Sequence, residues 1–220
     1  MTQTSRFFLL GLLSLTACGA PGTGPAGTDS STDVSLPRLQ GHVENWPGGA
    51  ATLQLRDGTA VLAQGSIDVG GGLALTLPAA STMDASLRVV GTPSAVAGCA
   101  SSVRVTDPAA RWRTFEGFAV YQNGTIVGGI GRAYGLTNLT EAEPGDYQVR
   151  WTYADRPLDV TGVLTCTSFK ETYDLHLRAG WNASVLGHDT SYSSSGGFYE
   201  LTWKSGSDAT ARWGFVPRGQ

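Results

Sequence analysis

The chain has 220 residues, 41% hydrophobic, 9% aromatic and 15% charged, with 30 glycines and 3 cysteines. That length suits one or two globular domains, and glycine without a three-residue period or a matching proline load excludes a collagen-like rod. Fifteen Lys and Arg stand against 18 Asp and Glu, and Lys170 and Lys204 are the only lysines, so no polybasic tract can condense on phosphates and nucleic-acid partners are excluded.

Arg6 precedes an apolar run from Phe7 to Ala17. A transmembrane helix needs about 20 apolar residues to cross about 30 Å of hydrocarbon, so this run has the form of a secretion leader and not of a permanent span. It ends in Leu15-Thr16-Ala17-Cys18, with small residues before a thiol. This segment resembles the lipobox of bacterial lipoproteins. The resemblance implies cleavage that leaves residues 1–17 as a signal peptide, and lipidation of Cys18 by acyl chains of the palmitate type. Several chains anchor far more firmly than one. Gly19 lacks the negative charge that marks inner-membrane retention in such lipoproteins, so the implied address is the cell envelope, at the outer membrane of a double-membraned host.

Residues 18–37 carry Gly, Pro, Ser and Thr with no apolar periodicity, as in Gly19-Ala20-Pro21-Gly22 and Ser30-Ser31-Thr32-Asp33, and predict a flexible tether. About 18 such residues span about 20–25 Å.

From residue 38 the apolar positions recur every second residue, which is the period of a half-buried strand. Leu53 and Leu55, Leu73, Leu75 and Leu77, and Val103 and Val105 follow this rule. Asp57-Gly58 predicts a tight hairpin, Gly70-Gly71-Gly72 a second turn, and Pro78 a strand end. Ala79 to Ser86 predicts a short helical or irregular connection, and Leu87 to Val90 a further strand. The opening Gly41-His42-Val43-Glu44-Asn45-Trp46-Pro47-Gly48-Gly49-Ala50 resembles transthyretin-like and carboxypeptidase-regulatory-like β-sandwich modules. Over residues 38–107 that resemblance implies a small β-sandwich-like unit used as an accessory or adhesion module without chemistry of its own.

Asp107-Pro108-Ala109-Ala110 marks a boundary by a shift in composition, since only Trp46 of the six tryptophans and none of the seven tyrosines precede it. Residues 108–220 therefore read as an aromatic-rich antiparallel β domain. Phe118 to Tyr121, Asn123-Gly124 and Ile126-Val127 give a hairpin, and Tyr147 to Tyr153 and Tyr173 to Ala179 alternate cleanly. Further strands are expected at 162–166, 183–186, 198–203 and 209–215, and a single turn or short helix at Asn138 to Pro144. The fold class is all-β: a small sandwich-like unit followed by an antiparallel β-sandwich or partly closed β-barrel, between which strand count does not decide.

With Cys18 lipidated, Cys99 and Cys166 remain as an even pair in an exported protein, where disulfides persist. Pairing would close a loop of 67 residues, worth roughly 4 kcal/mol by chain entropy. Two separate thiols are the alternative. His42, His176 and His188 form no short ligand motif, and His176 shares a polar strand face with Asp174 and Arg178, so no metal site is expected. Ser193 to Gly196 is no nucleophile elbow. Gly128-Gly129-Ile130-Gly131 lacks a nucleotide-loop frame, so its glycines relieve crowding or permit a bulge and no cofactor is expected. Asp146, Asp155, Glu171 and Asp174 could in principle form an acid/base pair, but their spacing selects none.

The later aromatics carry the sharper choice. Tyr147, Val149, Trp151 and Tyr153 share one strand face and read as core. Trp181, Tyr192 and Trp203 are the candidate ligand contacts. The leading reading is a lipid-anchored, non-enzymatic structural or protein-interaction component of the envelope, with edge strands or exposed aromatics supplying contacts. A glycan- or small-ligand-binding lipoprotein and an envelope hydrolase are the alternatives.

Overall fold

The structure is a computed structural model that describes residues 37–91, 98–135, 141–193, 197–207 and 209–218. Strand β1 (Arg38–Glu44) is followed by β2 (Ala51–Asp57), β3 (Ala60–Ile67) and β4 (Gly72–Thr76). One helical turn, α1 (Ala80–Met83), runs into a 3-10 turn at Asp84–Ser86, as the sequence predicts for this connection. Short segments β5 (Arg88–Val89), β6 (Ala100–Ser101) and β7 (Arg104–Val105) precede β8 (Arg111–Phe115), β9 (Phe118–Gln122) and β10 (Thr125–Tyr134). Then come β11 (Glu141–Ala142), β12 (Tyr147–Ala154), β13 (Leu158–Thr165), β14 (Phe169–Leu177), β15 (Gly180–His188), β16 (Tyr192–Ser193), β17 (Tyr199–Ser205) and β18 (Arg212–Pro217). The protein is all-β. No helix among the described residues is long and apolar enough to cross a membrane.

Seven strands close a barrel in the order β18-β1-β4-β3-β2-β9-β10, with β10 returning to β18. The turns are those that the glycines foretell. Gly58 turns at φ 58°, and Asn123 and Gly124 turn at φ 49° and 77°, the doubly positive pair that matches a hairpin to its twisted strands. Gly128 follows a register shift at Ile126, and a Cβ there would lie 2.3 Å from the Val216 carbonyl, so a bulge and a close approach both require it. Alternation fills the interior: Val43, Leu53, Leu55 and Val120 are fully buried, with Ile67, Leu75 and Leu77 at 2% exposure or less. Each such side chain contributes about 1.5–3 kcal/mol relative to exposure.

Closure joins the first and last strands of the described residues. β1 and β18 pair in parallel at Val43↔Trp213 and Glu44↔Gly214. Asn45, at φ 55°, extends this seam by imitating a strand: its Nδ2 donates to the Phe215 carbonyl at 3.0 Å and its Oδ1 accepts from the Phe215 N–H at 3.1 Å.

A second, open sheet grows from the same wall. β12 pairs with the far end of β10, and from it the order runs β12-β15-β17-β14-β13. β8 lies on the other edge of β12, β5 on β8, and β6 and β7 on the outer edge of β13. The hydrogen-bonded sheet thus does not stop at Asp107 to Ala110, since β2 pairs with β9 and β7 with β13. β12 serves two cores. Val149, Trp151 and Tyr153 face the barrel, as their alternation predicts, while Ala154 belongs to a second cluster with Leu158, Val160, Leu175, Leu177 and Trp203.

Three details differ from the sequence reading. β14 and β17 pair in parallel, because β17 inserts between β15 and β14 instead of continuing the meander. Barrel closure draws on β1–β4 together with β9, β10 and β18, so it is not confined to the second half. Within Asn138 to Pro144, residues 138–140 lie outside the described residues, and Glu141–Ala142 form a strand paired with β16 instead of a helical turn.

The disulfide between Cys99 and Cys166 is formed. It continues the two-pair ladder Leu164↔Ser101 and Thr165↔Ala100 by one more step, stapling the last edge of the open sheet. Beyond that ladder the edge breaks. Gly162, at φ 115°, would drive a Cβ to 2.5 Å from the Ser102 carbonyl. The Ser102 backbone and hydroxyl both bond Val163 across the break, at 2.8 and 3.0 Å.

Candidate functional site

The parallel seam between β1 and β18 holds at one end only. β18 begins at Arg212, one residue before its first pair with β1, and residues 209–211 do not pair with β1. The gap is a cleft of about 510 Å³. Its apolar lining includes Leu39, Ala211, Trp151 and Trp213, and the two tryptophans are 5% and 7% exposed and stack at 5.2 Å. Gly41 gives Trp213 its place, since a Cβ there would lie 2.5 Å from the indole.

Hydrogen-bond parity fixes what β1 offers to this cleft. Pro37 accepts from the Leu77 N–H, and the Val43 N–H donates to Gly71, so the odd-numbered residues of β1 turn their amide groups toward β4. The register with β4 is unbroken from Arg38↔Thr76 to His42↔Gly72. Strand alternation therefore points the N–H and C=O groups of Arg38 and Gln40 away from β4 and into the cleft. Among the described residues no strand pairs with them there.

Among the described residues, the guanidinium groups of Arg38, Arg132 and Arg212 line the cleft against one carboxylate, Glu44. Arg132 Nε donates to the Ala211 carbonyl at 3.3 Å. Arg212 is 3.5 Å from Glu44 and also donates to the Ala209 and Thr210 carbonyls, which fixes its guanidinium at the cleft rim. Arg38 has no ion-pair partner among the described residues.

A second polar group is recessed in the open sheet. Tyr173 donates to Glu171 at 2.6 Å, and burial raises both of their pKa values. Arg150 reaches Glu116 at 2.8 Å and lies over the Trp203 ring at 5.4 Å, with its Nε buried and unbonded. His188 Nδ1 is likewise buried and unbonded, and burial lowers its pKa.

The sequence candidates fall in separate places. Trp203 is 6% exposed, donates to Ser184 Oγ at 2.8 Å and stacks on Trp112, so it is core. Trp181 is half-buried against Phe115 and Tyr153 and donates to the Pro78 carbonyl at 2.8 Å. Tyr192 packs on His188 and Tyr199. No ring contact joins any two of these three. Among the four carboxylates, Asp155 bonds Arg111 and Arg156, Asp174 bonds His176, Glu171 bonds Tyr173, and Asp146 accepts from the Glu143 N–H. Burial alone would raise the Asp155 carboxyl, but the hydrogen bonds from Arg111 and Arg156 outweigh it and hold the pKa low. His176 bridges Asp159, across from it on β13, and Asp174, its neighbour in the row read from the sequence, at 2.8 and 3.1 Å. Cys18 lies outside the described residues.

The cleft residues escape sequence reasoning. Arg38 and Arg212 stand 174 positions apart, and nothing in either segment says that their strands meet in parallel and then separate. The only local sign is polar Arg38, Gln40 and His42 at every second position of β1. No family model, curated protein or solved structure matches this chain.

Proposed function

We propose that the protein is a lipid-anchored, non-enzymatic interaction component of the cell envelope, held to the membrane through Cys18 and presenting its barrel on the 18–37 tether. The lipobox-like leader supports the anchor. The observation that carries the interaction reading is the open edge of β1 in the cleft, because unpaired amides beside exposed charge form a strand-docking surface.

The test is site-specific photocrosslinking in the native host. A photoreactive residue at Gln40 is expected to yield one discrete protein adduct in the envelope fraction, and the same probe at Val89, 60% exposed on β5, is expected to yield none. Metabolic acyl labelling should mark the wild type and not Cys18→Ala. Equal labelling removes the anchor, and equal adducts at both positions remove the interface.

A specific observation favours a second reading, the binding of a polar small ligand such as a glycan. Arg150, Glu171, Tyr173 and His188 gather carboxylate, guanidinium, phenol and imidazole groups beside Trp203. Loss of binding to envelope glycan fragments in Glu171→Gln, with folding retained, tests it.

A further inference from the structure

We infer that the cleft between β1 and β18 takes an extended acidic peptide of a partner protein, which adds as a strand along Arg38 to His42. This rests on the interaction reading above and names the chemistry of the partner.

The backbone sets the mode. The amides of Arg38 and Gln40 face the cleft, while the β4 side of β1 is fully paired. A bound strand would complete a ladder that β18 begins at Val43 and abandons below Arg212. Five residues of strand are about 16 Å long at about 3.3 Å per residue, so the open edge suits one short segment and not a broad sheet-to-sheet contact.

The side chains set the charge. Exposed edges are ordinarily blunted by Lys, Pro or a bulge. This one is flanked by guanidinium groups, which fork onto carboxylates in two parallel hydrogen bonds. Arg38 and Arg212 are exposed at the rim, and among the described residues Glu44 is the one acidic side chain in the lining. Acidic residues at alternate positions of the incoming strand would oppose these arginines, the cross-strand pairing that stabilises sheets. A free phosphate or a lipid headgroup could use the arginines and accept from a single N–H, but it cannot answer the alternating N–H and C=O groups of a strand edge, and that favours a peptide.

The experiment is calorimetric titration of the full mature chain in detergent with four probes. These are an eight-residue peptide alternating Glu and Val, the same peptide N-methylated at alternate amides, a Lys-for-Glu version, and inorganic phosphate. The acidic peptide is expected to bind at low salt and to weaken by about tenfold or more in Arg38→Glu/Arg212→Glu. Gln40→Pro should also weaken it, because it removes a cleft-facing N–H that the β4 ladder does not use. Should Gln40→Pro fail to fold, the N-methylated peptide carries the same test on wild-type protein, and its expected result is loss of binding. Equal binding of the N-methylated peptide, or full competition by phosphate, overturns strand addition and leaves an anion cleft. Equal binding of the Lys peptide overturns the acidic specificity. Binding seen only in Asp29→Asn/Asp33→Asn would assign the cleft to the chain's own 18–37 segment and also overturn the inference. An adduct at Gln40 in the host without acidic-peptide binding sinks this inference alone. Peptide binding without an adduct sinks the proposed function alone.

Discussion

The closed barrel and the open sheet beside it dispose of their strand edges by different means. The barrel is closed by β18, which pairs with β10 from Gly128 to Ala133 and with β1 at Val43 and Glu44, so that the rest of β1 keeps an open edge. The open sheet ends at β13, and there two-residue strands, the Ser102 hydroxyl and the Cys99–Cys166 bond cover what a full strand would otherwise pair. Closure gives continuous cooperative packing around one core, whereas a staple secures an edge without adding much apolar burial. The two regions should therefore respond differently to damage.

The largest effect is expected at the wall they share. Trp151 is 5% exposed and packs against Phe118 at 5.1 Å and Trp213 at 5.2 Å. Trp151→Ala removes a large buried ring and should cost about 3–5 kcal/mol by denaturant unfolding. Hydrogen exchange sharpens the comparison. If β12 couples the two cores, amides of β13 and β14 lose protection together with those of β2 and β9. Retained protection in β13 and β14 would show that the open sheet stands alone.

The staple comes next. Cys99→Ser/Cys166→Ser should cost about 2–4 kcal/mol, with the loss of exchange protection concentrated in β6, β7 and β13 and the barrel amides largely spared. A uniform loss across β1–β4 would contradict the division of labour between ladder and staple. Smaller again is the seam. Asn45→Ala deletes both bonds to Phe215 and places a β-carbon-bearing residue with no side-chain bond at φ 55°, at a cost of about 1–3 kcal/mol. Exchange at Val43 and Glu44 reports whether the barrel opens there first.

Local rules made much of this architecture readable, and they stop where pairing becomes long-range. The period-two runs locate β2, β4, β12 and β14, and Asn123-Gly124 places a hairpin to the residue, because those signals depend on neighbours in sequence. Setting Cys18 aside as the expected lipid site leaves two cysteines, and that arithmetic foretells the disulfide. Register between distant strands has no such local mark. Nothing in Val43 or Trp213 reveals that they face each other, and so neither the closure of the barrel nor the cleft beside it could be read from the chain. Trp203 shows the opposite hazard: an aromatic at strand spacing looks free to bind until Ser184, Trp112 and Arg150 are found to enclose it.

The smallest expected effect separates the outer face of the open sheet from its recess by the sign of a titration. His176 is exposed, directly across from Asp159 in the β13–β14 register and two residues beyond Asp174. The hydrogen bond from Asp159, and after it the one from Asp174, favour the imidazolium and raise the pKa above the ordinary 6.5. A raised folded-state value means that the folded protein holds the proton longer, so any stability gained is fully present below pH 6.5 and is lost as pH rises through the folded pKa. His188 runs the other way. Burial lowers its pKa, so the folded protein keeps it neutral, and its contribution is lost as pH falls from 6.5 through that lowered value. Proton NMR of the imidazole signals should show His176 titrating above 6.5 and His188 below it, with Asp159→Asn bringing His176 down and leaving His188 in place. A His176 that titrates at or below the ordinary value would mean that water, and not the two aspartates, governs this face. A shift of His188 in the same variant would mean that the recess senses the outer surface through the sheet.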